Sequence, residues 1–129
     1  MSIKFYPRLG QLFMCDFSDI NEPEMNKIRP VVVISPRLPY RSQIVTIVPI
    51  STTRPFHDLP FCFRLSKNYH PAEDANLPCW AKADMVGNFS VSRLDGFKVG
   101  RRKWEIPEMS DADLEGVRGA VLAGLGFLR

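Results

Sequence analysis

The apolar residues of the chain lie in short runs, and proline or polar residues separate one run from the next. Short runs that are rich in β-branched and aromatic residues predict β-strands. The predicted strands are 11–17 (QLFMCDF), 31–35 (VVVIS), 44–51 (IVTIVPIS), 59–65 (LPFCFRL) and 78–86 (PCWAKADMV). Short strands separated by turns that contain proline indicate a small barrel or sandwich.

Three of these segments predict how their strands are buried. Segment 31–35, which follows Pro30, is apolar at nearly every position, and this pattern is typical of a strand buried on both faces. Because Pro49 has no N–H to donate, it predicts an edge position or a bulge near the end of 44–51. In 59–65 apolar residues recur at every second position, which indicates a half-buried strand.

The C-terminal segment has helical periodicity instead. Ser110 with Asp113 three residues later has the form of a helix N-cap. Apolar residues then recur three or four positions apart at Leu114, Val117, Val121, Leu125 and Leu128. This pattern predicts an amphipathic helix of about 14 to 16 residues. Its three glycines, Gly116, Gly119 and Gly124, would each cost about 1 kcal/mol relative to alanine, so tertiary packing must hold the helix.

The length and composition indicate one folded domain that covers residues 1–129. The chain has 129 residues, of which 45% are hydrophobic and 24% are charged, as in ordinary globular proteins. No apolar run approaches the roughly 20 residues that a membrane span requires. The three cysteines lie in apolar segments, which favours a reduced compartment and core positions. We therefore expect a cytoplasmic protein with no membrane association.

The charge is divided unevenly along the chain. Residues 1–104 carry 15 Lys and Arg against nine Asp and Glu, whereas residues 105–129 carry two against five. A basic body is compatible with a polyanionic partner, because phosphate contacts supply most of the non-specific affinity for nucleic acids. Proteins that bind no nucleic acid also carry charges of this size.

Two positions beside the central predicted strands are candidates for phosphate binding. Arg29 stands between a polar loop and a buried strand, where its guanidinium could be held towards a cleft; alternatively, an ion pair with Glu24 could pin the loop. Ser51, Thr52 and Thr53 follow the next strand, and their hydroxyls could bind a phosphate or ribose, or satisfy a turn.

Two further segments carry charged side chains. In a strand Lys82 and Asp84 would face the same side, where they could act as an acid and a base or form an exposed ion pair. Segment 101–104 (RRKW) could contact nucleic acid or form a solvated strand edge.

No pattern in the chain predicts a metal or a cofactor. The candidate ligands His57, Cys62, His70 and Cys79 lack the spacings of zinc sites. There is no glycine-rich phosphate loop and no GxSxG motif.

The motifs follow one another in a definite order: GQLFMCDF, a loop with Glu24, IRPVVVIS, IVPISTT, WAKADMV and an amphipathic helix. In this order of motifs the chain resembles the MazF/PemK family of toxins of type II toxin–antitoxin systems. The resemblance runs from about Tyr6 to Leu125. It implies a strongly bent SH3-like β-barrel of the CcdB/MazF type with a C-terminal α-helix, working as a homodimer. It also implies metal-independent cleavage of single-stranded RNA, often mRNA, and inhibition by a cognate antitoxin whose acidic segment occupies the RNA groove.

The resemblance also implies roles for individual residues. The family's essential arginine falls on Arg29 and its conserved hydroxyl on Ser51. The Arg-x-Asp pair of the PemK branch falls on Lys82 and Asp84, so that lysine replaces arginine, and Pro23 stands where that branch has histidine. The residues expected to contact RNA are Glu24, Thr52, Thr53, Arg37 and Arg41.

The expected reaction is attack of a ribose 2′-OH on the adjacent phosphorus, which leaves a 2′,3′-cyclic phosphate. Asp84 is the predicted base, Arg29 would stabilise the charge on the phosphoryl oxygens, and Lys82 would share that role or act as the acid. Unstacked bases favour a single-stranded substrate. Two alternatives remain: a toxin of the same fold that inhibits DNA gyrase, and an inactive homologue that binds nucleic acid.

Overall fold

The computed structural model describes residues 3–23 and 25–127. Within these ranges the chain forms nine strands and one α-helix: β1 (Leu12–Asp16), β2 (Ile28–Val33), β3 (Ile44–Ser51), β4 (Cys62–Arg64), β5 (Trp80–Lys82), β6 (Gly87–Ser90), β7 (Leu94–Asp95), β8 (Phe97–Gly100), β9 (Lys103–Glu105) and α1 (Asp111–Gly124). Single turns of 3-10 helix, Ala83–Met85 and Val91–Arg93, follow β5 and β6. None of the described helices is long and apolar enough to cross a membrane.

Antiparallel pairing joins seven of the described strands into one sheet. The strand order is β4-β5-β3-β2-β1-β7, and β6 pairs with β3 outside this path. Strands β8 and β9 form a separate hairpin. The predicted mainly β fold with a C-terminal helix is therefore confirmed.

The centre of the sheet is covered on both faces. Val31, Val32 and Val33 in β2 are completely buried, as the apolar run predicts. Because successive side chains of a strand point to opposite faces, Val32 belongs to a core cluster that includes Val117 of α1, whereas Val31 and Val33 belong to a second cluster that includes Phe13. One face of the sheet thus packs on the helix, and the other packs on the aromatic residues of β1 and its neighbours.

Helix α1 begins at the predicted cap and has 14 residues, the lower limit of the predicted length. The Ser110 hydroxyl oxygen accepts a hydrogen bond of 3.2 Å from the backbone N–H of Asp113. The Asp113 side chain does not remain at the surface but is buried, with 4% of its surface exposed.

The apolar stripe of α1 is shorter than predicted. Val117 and Val121 are buried and Leu114 is partly buried, as the periodicity predicts. Leu125 follows the last helical residue and is 59% exposed, so its assignment to the buried stripe is wrong. Leu128 lies outside the described residues.

Strand β3 has the predicted bounds but lies inside the sheet rather than at its edge. Its residues 47–49 pair with β2, while Ile44–Ile47 pair with β6 and Ile50–Ser51 pair with β5. Pro49 lies in the interval where the strand changes partner from β6 to β5. The predicted edge position is therefore wrong. A proline is tolerated inside this sheet because the pairing of β3 is interrupted where its partner changes from β6 to β5.

Several strands differ from the sequence prediction. Strands β4 and β5 have only three residues each, shorter than the predicted 59–65 and 78–86. The predicted alternation of burial in 59–65 is broken at Cys62, which is partly buried like Phe61 and Phe63, whereas exposed Arg64 and buried Leu65 follow it. Strands β6 to β9 have two to four residues, too few for a recognisable alternation, and their positions are fixed by pairing partners distant in sequence.

Candidate active site

A cavity of about 320 Å³ lies beside the predicted Arg29 and extends between the ends of three strands. We call it the Arg29 cavity. Its walls combine the 21–27 loop with β2, β3, β5 and the turn after β5. The lining residues are Glu22, Pro23, Met25, Asn26, Lys27, Arg29, Pro49, Ile50, Ser51, Lys82 and Met85.

Three predicted catalytic residues line this cavity together. Arg29 is the second residue of β2, Ser51 is the last residue of β3 and Lys82 is the last residue of β5. All three side chains are partly buried. Since β3 pairs with both β2 and β5, the sheet brings together residues that are 22 and 31 positions apart in the chain. Pairing of strands thus creates the site.

The electrostatic character of the Arg29 cavity is cationic. Among the described residues, its lining has three basic side chains, Lys27, Arg29 and Lys82, and one carboxylate, Glu22. Neither Arg29 nor Lys82 takes part in an ion pair between described residues. The alternative ion pair of Arg29 with Glu24 concerns a residue outside the described ranges. Within those ranges both cations remain available to an anion in the cavity.

Hydrogen bonds define what the polar groups of the cavity offer to a ligand. The Ser51 hydroxyl oxygen accepts a bond of 3.0 Å from the backbone N–H of Thr53, which leaves the hydroxyl hydrogen available for donation. Glu22 accepts a bond of 3.3 Å from the side-chain amide of Asn26. The described residues of the cavity therefore offer a hydroxyl donor, basic side chains and an acceptor carboxylate.

Asp84 lies outside this constellation. The strand that was expected to hold it beside Lys82 ends at Lys82, and Asp84 belongs to the 3-10 turn Ala83–Met85. Its side chain is exposed and is not part of the cavity lining. Its backbone packs near the end of α1, where a methyl group built on Gly124 would lie 3.5 Å from its Cα. The expectation that Lys82 and Asp84 emerge from one strand face is wrong, because the chain turns after Lys82.

The predicted RNA-contact residues are dispersed. Thr52 and Thr53 are exposed after β3 and do not line the Arg29 cavity, although the Thr53 N–H positions Ser51. Glu24 lies outside the described residues.

The two arginines of the 36–43 turn lie towards the opposite end of β3. The Arg37 guanidinium lies over the ring of Tyr6, 5.1 Å from its centroid. Arg41 donates to the side-chain oxygens of Thr46 at 3.3 Å and Asn88 at 2.8 Å. Thr46 and Asn88 are paired residues of β3 and β6, so Arg41 connects the turn to this pair of strands. Neither arginine lines the Arg29 cavity.

The sequence analysis missed Glu22, which is the carboxylate that the described structure places in the cavity. Glu22 lies two positions before Glu24 in the same polar loop, so both glutamates fit the loop signal. The sequence signal does not distinguish one from the other.

The cysteines contribute no activated nucleophile. Burial raises the pKa of Cys15 to about 12, and it also raises the pKa of Cys62 and Cys79. Cys15 and Cys79 are buried and Cys62 is partly buried, all as free thiols, which confirms their prediction as core or near-core residues. Thiols in such surroundings remain protonated and unreactive at neutral pH.

The fold and the cavity together define a small antiparallel β protein with a cationic cleft at the junction of its central strands. Residues 8–122 match the family model of the PemK-like, MazF-like toxins of type II toxin–antitoxin systems. The chain therefore belongs to this family, as its motif order predicted. None of the curated proteins compared matches the chain.

Solved structures resemble the whole chain. A MazF from Deinococcus radiodurans has 22% sequence identity and a TM-score of 0.68, over 95% of this chain and 99% of that one. An endoribonuclease from a mycobacterial species, in complex with its cognate antitoxin, has 17% identity and a TM-score of 0.65, over 95% and 98%. A MazE–MazF complex from D. radiodurans has 19% identity and a TM-score of 0.62, over 97% and 100%. At these identities the likeness establishes a common fold.

Proposed function

We propose that this chain is the toxin of a type II toxin–antitoxin pair and acts as a metal-independent endoribonuclease on single-stranded RNA. The observation that carries the proposal is the convergence of Arg29, Ser51 and Lys82 from three strands on one cationic cavity. Membership of the PemK-like, MazF-like toxins and the likeness to a mycobacterial endoribonuclease support the same activity.

The groups in the cavity match the charge changes of RNA cleavage by the 2′-OH. When this oxygen attacks the adjacent phosphorus, negative charge grows on the phosphoryl oxygens. The Arg29 guanidinium is always charged and has planar paired donors, so it is suited to stabilise that charge. The Ser51 hydroxyl would donate to a phosphate or ribose oxygen. Lys82 would stabilise the same charge or protonate the departing 5′ oxygen.

Two partners are part of the proposal. The mycobacterial endoribonuclease and the Deinococcus MazF each form a complex with an antitoxin, which supports an antitoxin as a partner of this chain. By charge complementarity the antitoxin would present an acidic segment to the cationic cavity, as the family resemblance implies. The toxin itself would be a homodimer, as the family resemblance implies.

The activity test uses purified protein and labelled single-stranded RNA in excess EDTA. We expect cleavage with 2′,3′-cyclic phosphate ends, and about a hundredfold or greater loss of rate in Arg29→Ala with little change in thermal stability. Arg29→Lys should recover little activity, because an ammonium lacks the paired donor geometry.

The outcomes distinguish the alternative functions. Arrest of DNA gyrase without RNA cleavage would identify the gyrase-inhibiting alternative, and binding without cleavage would identify an inactive homologue. An Arg29→Ala protein that melts early but cleaves normally at low temperature would remove this arginine from the mechanism.

A further inference from the structure

The described part of the chain has a second, larger cavity, of about 590 Å³, between the β8–β9 hairpin and strands β1 and β7. We call it the hairpin groove. Its lining includes the aromatic residues His70, Phe97 and Trp104 and the cations Arg93 and Lys98. The site proposed above uses none of these residues.

The hairpin that borders this groove is strongly basic. Lys98, Arg101, Arg102 and Lys103 lie within six positions, and all four are exposed. None of the ion pairs between described residues involves them. Four like charges on a two-stranded hairpin repel one another unless an anion neutralises them. The hairpin is therefore suited to contact phosphates.

Trp104 provides an aromatic surface next to these charges. It lies opposite Lys98 in the hairpin register, and the Lys98 ammonium is 5.9 Å from the centroid of its ring. The ring lines the groove, and 38% of the residue's surface is exposed. A methyl group on Gly96 would lie 3.1 Å from the Trp104 Cβ, so the glycine permits β9 to approach closely here. An indole held in place beside cations is a stacking surface for a nucleobase.

The acidic residues of the groove determine which part of a nucleotide fits. Asp16 and Asp95 line it, and hydrogen bonds from Ser18 lower the pKa of Asp16, so this carboxylate is ionised at neutral pH. The Arg93 guanidinium is already engaged by Asp19 at 2.6 Å. Carboxylates repel phosphate but accept hydrogen bonds from base amino groups. The base would thus occupy the groove, and the phosphates would lie on the hairpin.

The groove and the Arg29 cavity are lined by two neighbouring residues of β2. Ile28, which is 58% exposed, lines the hairpin groove, and Arg29 lines the Arg29 cavity. Because successive side chains of a strand point to opposite faces of the sheet, the two side chains serve two separate sites.

We propose that the hairpin groove binds a nucleotide of single-stranded RNA at a site separate from the Arg29 cavity, with the base stacked on Trp104 and its phosphates on the β8–β9 cations. This inference rests on the proposed ribonuclease function. An acidic peptide fits less well, because the ionised carboxylate of Asp16 in the groove would repel it.

The test measures binding of a 2′-O-methyl RNA oligonucleotide, which cannot undergo attack by the 2′-OH. The triple variant Arg101→Gln/Arg102→Gln/Lys103→Gln should bind at least tenfold more weakly. Its affinity should also depend less on salt, by about two units of logarithmic slope for three lost phosphate contacts. The matched control is Lys4→Gln/Lys67→Gln/Arg118→Gln, which removes the same charge from exposed positions elsewhere and should retain affinity within a few-fold.

Stacking is tested separately. The chain has two tryptophans, so a Trp80→Phe background makes Trp104 the only indole, and bound RNA should quench its fluorescence. Trp104→Ala should weaken binding by roughly fivefold to a hundredfold, whereas Trp104→Phe should retain most of the affinity.

Each outcome separates the two proposals. The groove proposal fails alone if the wild-type protein cleaves RNA but the triple hairpin variant binds the oligonucleotide as tightly as its control does. It also fails alone if bound RNA does not change the fluorescence of Trp104. If the hairpin variants weaken only an acidic antitoxin peptide, the assigned ligand is wrong. If the wild-type protein neither binds nor cleaves RNA, the proposed function fails and this inference fails with it.

Discussion

At the scale of single residues, Asp113 shows how a helix-start signal can also serve the core. Its carboxylate accepts hydrogen bonds from the Ser66 backbone N–H at 3.1 Å, the Ser66 hydroxyl at 2.7 Å and the Tyr69 hydroxyl at 2.8 Å. The Tyr69 hydroxyl in turn accepts from the Ser110 N–H at 3.0 Å. This network attaches the first turn of α1 to the segment after β4.

Replacing Asp113 by alanine should lower the free energy of unfolding by about 2–4 kcal/mol, because the buried Tyr69 hydroxyl and the part-buried N–H and hydroxyl of Ser66 all lose their acceptor. Urea denaturation measures the change. The control Asp111→Ala removes an exposed carboxylate from the same helical turn and should cost less than about 1 kcal/mol. Equal costs for the two variants would show that the network does not stabilise the fold.

Two carboxylates compete for the role of base in the proposed reaction. Glu22 lines the Arg29 cavity, whereas Asp84, the base predicted from the sequence, is exposed outside it. We expect Glu22→Gln to reduce the cleavage rate about a hundredfold and Asp84→Asn to reduce it less than about threefold, both with little change in melting temperature. The reverse order would restore the base predicted from the sequence and would mean that the turn after Lys82 moves when RNA binds.

At the scale of elements, the glycines of α1 have different surroundings. A methyl group on Gly116 would lie 2.2 Å from the ring of Phe63 in β4, whereas one on Gly119 would meet nothing within 4 Å. Gly116 therefore permits close packing of α1 on the sheet. Gly119 carries only the intrinsic cost of glycine in a helix.

The two glycine positions make a matched experiment. Gly119→Ala should stabilise the protein by up to about 1 kcal/mol through helix propensity. Gly116→Ala gains the same propensity but forces Phe63 to move, and should destabilise by about 1–3 kcal/mol. Denaturation midpoints measure both changes. A stabilising Gly116→Ala would contradict the close packing of α1 on β4.

At the scale of the whole molecule, apolar side chains remain exposed at the C-terminal end of α1. Leu122, Leu125 and Phe127 are exposed, with Phe127 at 75%. A cluster of exposed apolar residues is typical of a surface that another protein covers. The proposed homodimer would have such a surface available.

Light scattering should give the mass of a dimer at micromolar concentration. If the surface at the end of α1 contributes to the contact, Phe127→Ser should shift the equilibrium towards monomer, while Phe56→Ser, at a fully exposed phenylalanine elsewhere in the chain, should not. A monomer mass for the unmodified chain at this concentration would contradict the homodimer.

The sequence by itself determined the elements whose signals are local. Burial imposes a period of two on the positions of a strand and of 3.6 on those of a helix, so local patterns predict these elements to within a few residues. The patterns are the valine run of β2, the apolar residues of β1 and β3, and, for α1, Ser110 with the spacing of Val117 and Val121. The order of these motifs also identified the family, as the match over residues 8–122 confirms.

Only the tertiary structure decided which charged side chains meet. Arg29, Ser51 and Lys82 share a cavity because β3 pairs with both β2 and β5, and this pairing has no short-range signal. The strand ends at Lys82, so Asp84 does not line the cavity, whereas Glu22, an exposed residue of the 21–27 loop, does. Local spacing fixes the face of an element on which a residue lies, but distances between residues far apart in sequence depend on how the elements pack.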